Sequence, residues 1–417
     1  MTIVATIIAG WMALAGAALA AIFRKEIRNA WREPVMREPI IVIESDDWGA
    51  GPREQAERLR RLAGVLGSHA DYTGRRPVMT LGVVLAVPDR TRMLADGLVR
   101  YHSKRLDHPD FAEILSEIGQ GAEAGVFALQ LHGGEHYWPP SILALARTDA
   151  EVSAWVRGSD TPATEALPAR LQSRWIDAIE LPSKPLRADE IGVAARAEVQ
   201  AFRKIFGHGP VVAVPPTFIW NDAVESAWVE TGVEVIVTPG RRYEERGADG
   251  SPVGRGPEIV NGDRCAAGAT YLVRNDYFEP ALGHRADRAL AAVADKSRLG
   301  RPTLLETHRS NFLGEGVVTS DAIAELDRLL GLAIERFPTL LFLSPEEIAR
   351  RLRTRDPSLV ESRLGARLHV CLRRLATISR LRKLAWTTGV MLPAILVYVA
   401  TFHAPRDRPS RSAFARA

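Results

Sequence analysis

The chain has 417 residues, a quarter of them charged and 46% apolar, the balance of a folded protein with a sizeable core. Its formal net charge of +4 is small for that length and the excess gathers in the C-terminal region, so composition gives no nucleic-acid footprint. The only cysteines, Cys265 and Cys371, exclude a disulfide framework and a CxxC metal site, and no repeat of fixed period runs through the chain.

In chain order, residues 3–23 hold no charge and are long enough to cross a bilayer. A cleavable signal peptide is the rival reading, but nothing positive precedes the run except the terminal amine. Arg24, Lys25, Arg28 and Arg32 follow it, which predicts an anchor with the rest of the chain in the cytoplasm.

Residues 40–43, Ile-Ile-Val-Ile, read as a strand buried on both faces, and they run into Glu44, Asp46 and Asp47. Buried carboxylates need an offsetting charge. Neighbours on a strand point to opposite faces, so the chain is expected to leave the sheet near Asp46, with Trp48-Gly49 as the exit. A divalent cation would explain the cluster; a helix-capping Asp beside a salt-bridged neighbour is the plainer reading.

Between residues 34 and 353, apolar runs alternate with helical patterns. Strands are expected at 40–44, 77–87, 127–131, 211–214, 233–237, 270–273, 303–306 and 340–343. Helices are expected at 53–66, 111–124, 189–206, 222–231 and 320–337, the last opening on an N-cap within Thr319-Ser320-Asp321. Residues 150–186 and 247–268 read as insertions. The alternation predicts an α/β fold, most simply a (β/α) barrel of seven or eight parallel strands. In such barrels the reacting groups sit at the carboxyl ends of the strands. Asp46-Asp47, His132 and His136, Pro215-Pro216-Thr217, Arg274-Asn275-Asp276 and His308-Arg309 all fall there.

His132 and His136, four residues apart around Gly133-Gly134, can face one point across a tight turn. With an aspartate they make a His, His, carboxylate set that leaves a position open on zinc or a similar ion.

These residues resemble the polysaccharide deacetylase family, the NodB-homology carbohydrate esterases, in a branch bearing Glu-Ser-Asp-Asp-Trp-Gly. The likeness covers about residues 36–352. Residues 44–49 stand in the place of the family's TFDDG motif, 132–136 of HSxxH, 214–218 of the third motif and 304–308 of LxH. Residues 274–280, Arg-Asn-Asp-Tyr-Phe-Glu-Pro, look like an element of the branch.

The resemblance implies a distorted barrel and hydrolysis of an acyl group, N-acetyl above all, from an amino sugar of a polysaccharide or a lipid-linked sugar. It implies a divalent metal, zinc first with cobalt or manganese as alternatives, on Asp47, His132 and His136. Asp46 would be the general base and His308 the acid. A backbone N–H near Thr217 would complete an oxyanion site, with Trp48, Arg274 and Arg309 as further substrate contacts. The chain departs from the pattern in three places: Gly133 replaces the Ser or Thr after the first histidine, Val214 replaces an arginine that pairs with the base, and the family's fourth, Asp/Trp-bearing motif has no clear counterpart around residues 237–240. Arg274 or Arg309 is the candidate replacement for that charge.

After the barrel, residues 354–383 read as a basic amphipathic segment on an anionic membrane surface. Residues 384–402 read as a second transmembrane helix and 403–417 as a basic tail. The function expected is that of a membrane-anchored metal-dependent deacetylase with its barrel in the cytoplasm. A catalytically impaired barrel serving as a glycan-binding or assembly component is the alternative from another class. A glycosidase using Asp46 or Asp47 as nucleophile is the third reading.

Overall fold

The structure is a computed structural model that describes residues 2–158, 163–313 and 317–402. The expected tail, 403–417, lies outside the described residues, as do the side chains at the expected N-cap, 319–320. Two compact units are formed, one from residues 41–292 and 303–350, the other from 1–40, 293–302 and 351 onward.

The first unit is built on one sheet. Its strands are β1 (Ile40–Gly49), β2 (Met79–Val84), β3 (Phe127–Leu131), β4 (Val212–Ala213), β5 (Val235–Thr238), β6 (Thr270–Val273), β7 (Asp276–Tyr277), β8 (Thr303–His308) and β9 (Leu341–Phe342). The order is β6-β5-β4-β3-β2-β1-β8-β7, with β9 also on β1. All seven neighbouring pairs along that path are parallel.

The two ends of the order, β6 and β7, are separated in the chain by only Arg274 and Asn275. Laid flat, seven strand spacings would put them about 34 Å apart, whereas the linking residues reach about 11 Å. The sheet must therefore curl. The linker joins its edges: Arg274 N–H donates to Thr238 on β5 at 2.9 Å and Asn275 N–H donates to Leu304 on β8 at 3.2 Å. Eight parallel strands in this arrangement agree with the barrel read from the sequence.

Crossover helices include Gln55–Gly67, Ala112–Glu123, Ala188–Phe206, Asp222–Glu230 and Val317–Arg336. Because that last helix is already running at Val317, Thr319 and Ser320 lie inside its first turn, ahead of the start expected from their capping chemistry. The expected insertion at 150–186 holds a helix, Ala150–Arg157, and a short hairpin, Ile176–Asp177 with Lys184–Pro185.

One boundary differs with consequence. The strand expected to stop near Asp46 continues to Gly49, buried throughout. Against β8 its register is continuous, from Ile41 opposite Thr303 to Asp46 opposite His308. Against β2 it slips: Ser45 faces Leu81 but Trp48 faces Val83, so β1 carries one extra residue. That is a β-bulge, with Asp47 in the left-handed region at φ 73°. The bulge breaks the alternation of faces, so a strand delivers two adjacent aspartates to one site without leaving the sheet.

The second unit holds α1 (Thr2–Ile22), α2 (Arg24–Arg32), α3 (Leu364–Ala376), α4 (Ser379–Thr387) and α5 (Met391–Phe402). Among the described residues α1 is the one helix that by itself is long and apolar enough to cross a membrane. The second span expected at 384–402 is not one straight helix. The chain bends by 112° between α4 and α5, with Gly389 at φ 79° in the break. The 12 residues of α5 rise about 18 Å, well short of the ~30 Å hydrocarbon core. Arg374, read from the sequence as part of a membrane-facing basic surface, is buried. Its guanidinium donates to the carbonyls of Ala30, Glu33, Pro34, Leu299 and Gly300.

Candidate metal centre

The carboxyl ends of β1, β3 and β8 open into a cavity of about 210 Å³. Asp46, Asp47, His132, His136, Thr217 and His308 all line it, so six residues taken from four sequence motifs meet at one place.

Asp47 Oδ1 lies 3.4 Å from His132 Nε2 and 3.4 Å from His136 Nε2. One ligand atom from each of the three fits within 4.8 Å of the others. His132 Nδ1–H donates to the Val214 carbonyl at 3.0 Å, which fixes the tautomer and leaves the Nε2 lone pair facing Asp47. Asp47 Oδ1 is buried without a hydrogen-bond partner, the state of an atom that needs a cation. Burial and the neighbouring imidazole push the His136 pKa down to about 4, so the ring is neutral and able to ligate at physiological pH, although Asp47 pulls the other way. Burial raises the Asp47 pKa, but the His136 and His132 imidazoles beside it outweigh burial and hold the carboxyl well below its usual range. The donor set fits a divalent ion with N and O ligands and an open position.

The metal loop is pinned from behind. Gly133, at φ 96°, leaves no room for a side chain, since a Cβ there would lie 2.7 Å from the Glu135 carbonyl. Gly134 N–H donates to Glu198 at 2.9 Å, and Arg174 bridges Glu135 and Glu198 at 2.8 and 3.6 Å. The glycine that replaces the motif's usual residue therefore tightens this turn.

Asp46 is clamped. Arg274 donates to both of its oxygens, at 2.5 and 2.9 Å, and reaches Glu44 at 3.3 Å. Burial raises the Asp46 pKa, but Arg274, with His132 and His308, brings it down to about 2. Of the two arginines considered for the charge that Val214 lacks, Arg274 is the one bonded to Asp46 and Arg309 is not. Arg309 pairs with Glu165 through two bonds of 2.8 and 2.9 Å.

His308 Nδ1 is 2.6 Å from Glu279 Oε1, and Glu279 is bonded in turn to Asn311. Burial lowers the His308 pKa, but the Glu279 bond and the charges of Asp47 and Asp46 raise it to about 10. The imidazole is therefore protonated at neutral pH, and its Nε2 lies 3.8 Å from Glu306, another residue that lines the cavity.

Of the four residues expected to meet substrate, only Thr217 lines the cavity. Thr217 and Phe218 both sit at positive φ, 54° and 56°, a strained pair held by the Ser173–Thr217 hydroxyl bond of 2.7 Å. Trp48 is wholly buried: its indole donates to Ser45 at 2.8 Å and stacks on Phe312. Arg274 and Arg309 are also buried, Arg274 against the equally buried Asp46 and Arg309 against Glu165, which keeps part of its surface in solvent. None of these three lines the cavity.

Glu306, Glu165, Gln172, Phe218 and Ser310 line the cavity and were not read from the sequence. Glu306 had a signal, being two residues before His308 on one strand and so on its face. Glu165 and Gln172 had none, since they arrive from the insertion.

No family model matches the chain, and no curated protein matches it. Solved structures similar to it include a peptidoglycan deacetylase from Bacillus subtilis, at 10% identity and TM-score 0.36, covering 77% of this chain and 95% of that one. A family 4 carbohydrate esterase from Streptomyces lividans in complex with acetate matches at 12% identity and TM-score 0.34, over 74% of this chain and 94% of that one. A 4-α-glucanotransferase from Thermococcus litoralis matches at 9% identity and TM-score 0.39, over 76% of this chain and 40% of that one.

Proposed function

We propose that this chain is a metal-dependent hydrolase that removes an acyl group, N-acetyl in the first place, from an amino sugar of a polysaccharide or a lipid-linked glycan. The observation that carries the reading is the sorting of charge around one cavity. A ligand trio of Asp47, His132 and His136 lies beside an ionised Asp46 and a protonated His308. Acid and base held at opposite ends of the pH scale are what proton transfer in both directions needs.

The roles follow from the bonds. Asp47, His132 and His136 would hold a divalent ion, which would supply Lewis acidity toward the acyl oxygen and the attacking water, and Asp46, as weakly basic as it is, would need that help to accept a proton. Arg274 holds Asp46 ionised and aimed. As the carbon–nitrogen bond breaks, His308 gives its Nε2 proton to the departing amine. Glu279 keeps the other ring nitrogen protonated and the imidazole in place. Thr217, held at the cavity wall, is the candidate for contact with the acyl oxygen.

The pairing of Asp46 with Arg274 supports this reading over an impaired barrel, since it sets an arginine beside the proposed base from another strand end. We place the protein at a membrane through α1, with the barrel on the side of Arg24, Lys25, Arg28 and Arg32. The test is acetate release from N-acetylglucosamine oligosaccharides by purified full-length protein, metal-stripped and then reloaded with zinc, cobalt or manganese. Release restored by a metal supports the reading; no release with any of them and no bound metal would sink it.

A further inference from the structure

A second cavity, of about 530 Å³, lies among the helices outside the sheet and has no part in the reaction proposed above. Leu19 of α1, Leu372 of α3, Leu381 of α4 and Met391 of α5 give it apolar walls. Its lining also includes Arg298, Arg373 and Arg382 and no acidic residue. Arg298 is paired with Asp295. The other two are not neutralised. Arg373 donates to the Tyr398 hydroxyl at 2.8 Å and the Arg298 carbonyl at 3.2 Å, and Arg382 to the Ala376 carbonyl at 3.3 Å. Among the described residues neither has a carboxylate at ion-pair distance. An apolar slot with uncompensated cations in its wall is complementary to an anionic amphiphile.

Two observations narrow the occupant. The helices around the slot also carry exposed apolar side chains, Ile3, Ile7 and Leu14 on α1 and Leu392 and Leu396 on α5, a surface complementary to lipid. The slot is also too small for a partner helix. A helix about 10–12 Å across fills roughly 120 Å³ per residue, so the cavity would hold about four residues of it. An acyl chain has no such limit.

We propose that this cavity binds one anionic phospholipid, its acyl chain among α1, α3, α4 and α5 and its phosphate between Arg373 and Arg382. The inference is independent of the hydrolase reading.

The experiment uses the full-length chain in neutral detergent, with phosphatidylglycerol as the probe and retained lipid read by native mass spectrometry. One phosphatidylglycerol per chain is expected, displaced poorly by phosphatidylcholine. Arg382→Gln should weaken binding, and the double variant Arg373→Gln/Arg382→Gln should weaken it about thirtyfold, at about 1 kcal/mol for each cation. Ala385→Trp, which fills the slot without changing charge, should abolish it. Equal competition by phosphatidylcholine, or retention in Ala385→Trp, would overturn the proposal. Displacement by free glycerol phosphate as readily as by the lipid would also overturn it, because the apolar slot would then contribute nothing. Arg382 is exposed, so its replacement leaves the fold intact. Undiminished binding in Arg382→Gln therefore counts against the proposal whatever the tryptophan variant does.

Discussion

Asp46 and His308 face each other in register across β1 and β8, yet their proton affinities lie far apart. The difference comes from their partners. Arg274 takes both Asp46 oxygens, while Glu279 takes His308 Nδ1. If His308 is the acid, His308→Ala should slow amide hydrolysis by roughly 10²–10⁴-fold while sparing esters with good leaving groups, which depart without a proton. Equal losses on both substrates would make His308 structural or a ligand. The pH profile gives a second check. An acid works in its protonated form, so activity is present below its pKa and lost as pH rises through it. Glu279→Gln removes the anion that lifts His308 towards about 10, so the alkaline limb should move to lower pH. An unmoved limb would exclude His308 as the group titrating there. For the metal, His136→Ala should lose the bound ion while keeping its fold, and Asp46→Asn should keep the ion and lose turnover. Metal content by plasma spectrometry and far-ultraviolet dichroism separate these outcomes.

At the scale of elements, the bulge in β1 is the device that makes the site. It places Asp46 against β2, where only a glycine fits: a Cβ at Gly82 would lie 2.3 Å from Asp46 Oδ1. Gly82→Ala must therefore displace the carboxylate from Arg274 or shift the strand. We expect a loss of about 1–3 kcal/mol in denaturant unfolding and a fall in turnover, with the metal retained. Normal activity in that variant would mean that the Asp46–Arg274 clamp is not needed.

For the whole molecule, the basic residues following α1 set the expected orientation. A reporter placed within residues 247–268 that is active only outside the membrane should stay silent, and a signal from it would reverse the topology. The sheet seam matters at the same scale. Because residues 274 and 275 tie β5 to β8, closing the sheet and delivering Arg274 to Asp46 are one event.

The sequence alone determined what periodicity and local chemistry can carry. Strands β3 and β6 fall where alternation and turn residues put them; spacing made the pair His132 and His136 legible, and the resemblance added Asp47 to it. It could not determine which arginine answers Asp46, that Glu279 holds His308, or that Glu165 and Gln172 reach the cavity. Those pairings join residues far apart in the chain, and a charge has no spacing rule to betray its partner. Nor could it foresee the bulge at Asp47 or the break at Gly389. Each is a backbone conformation that local sequence permits and only packing selects.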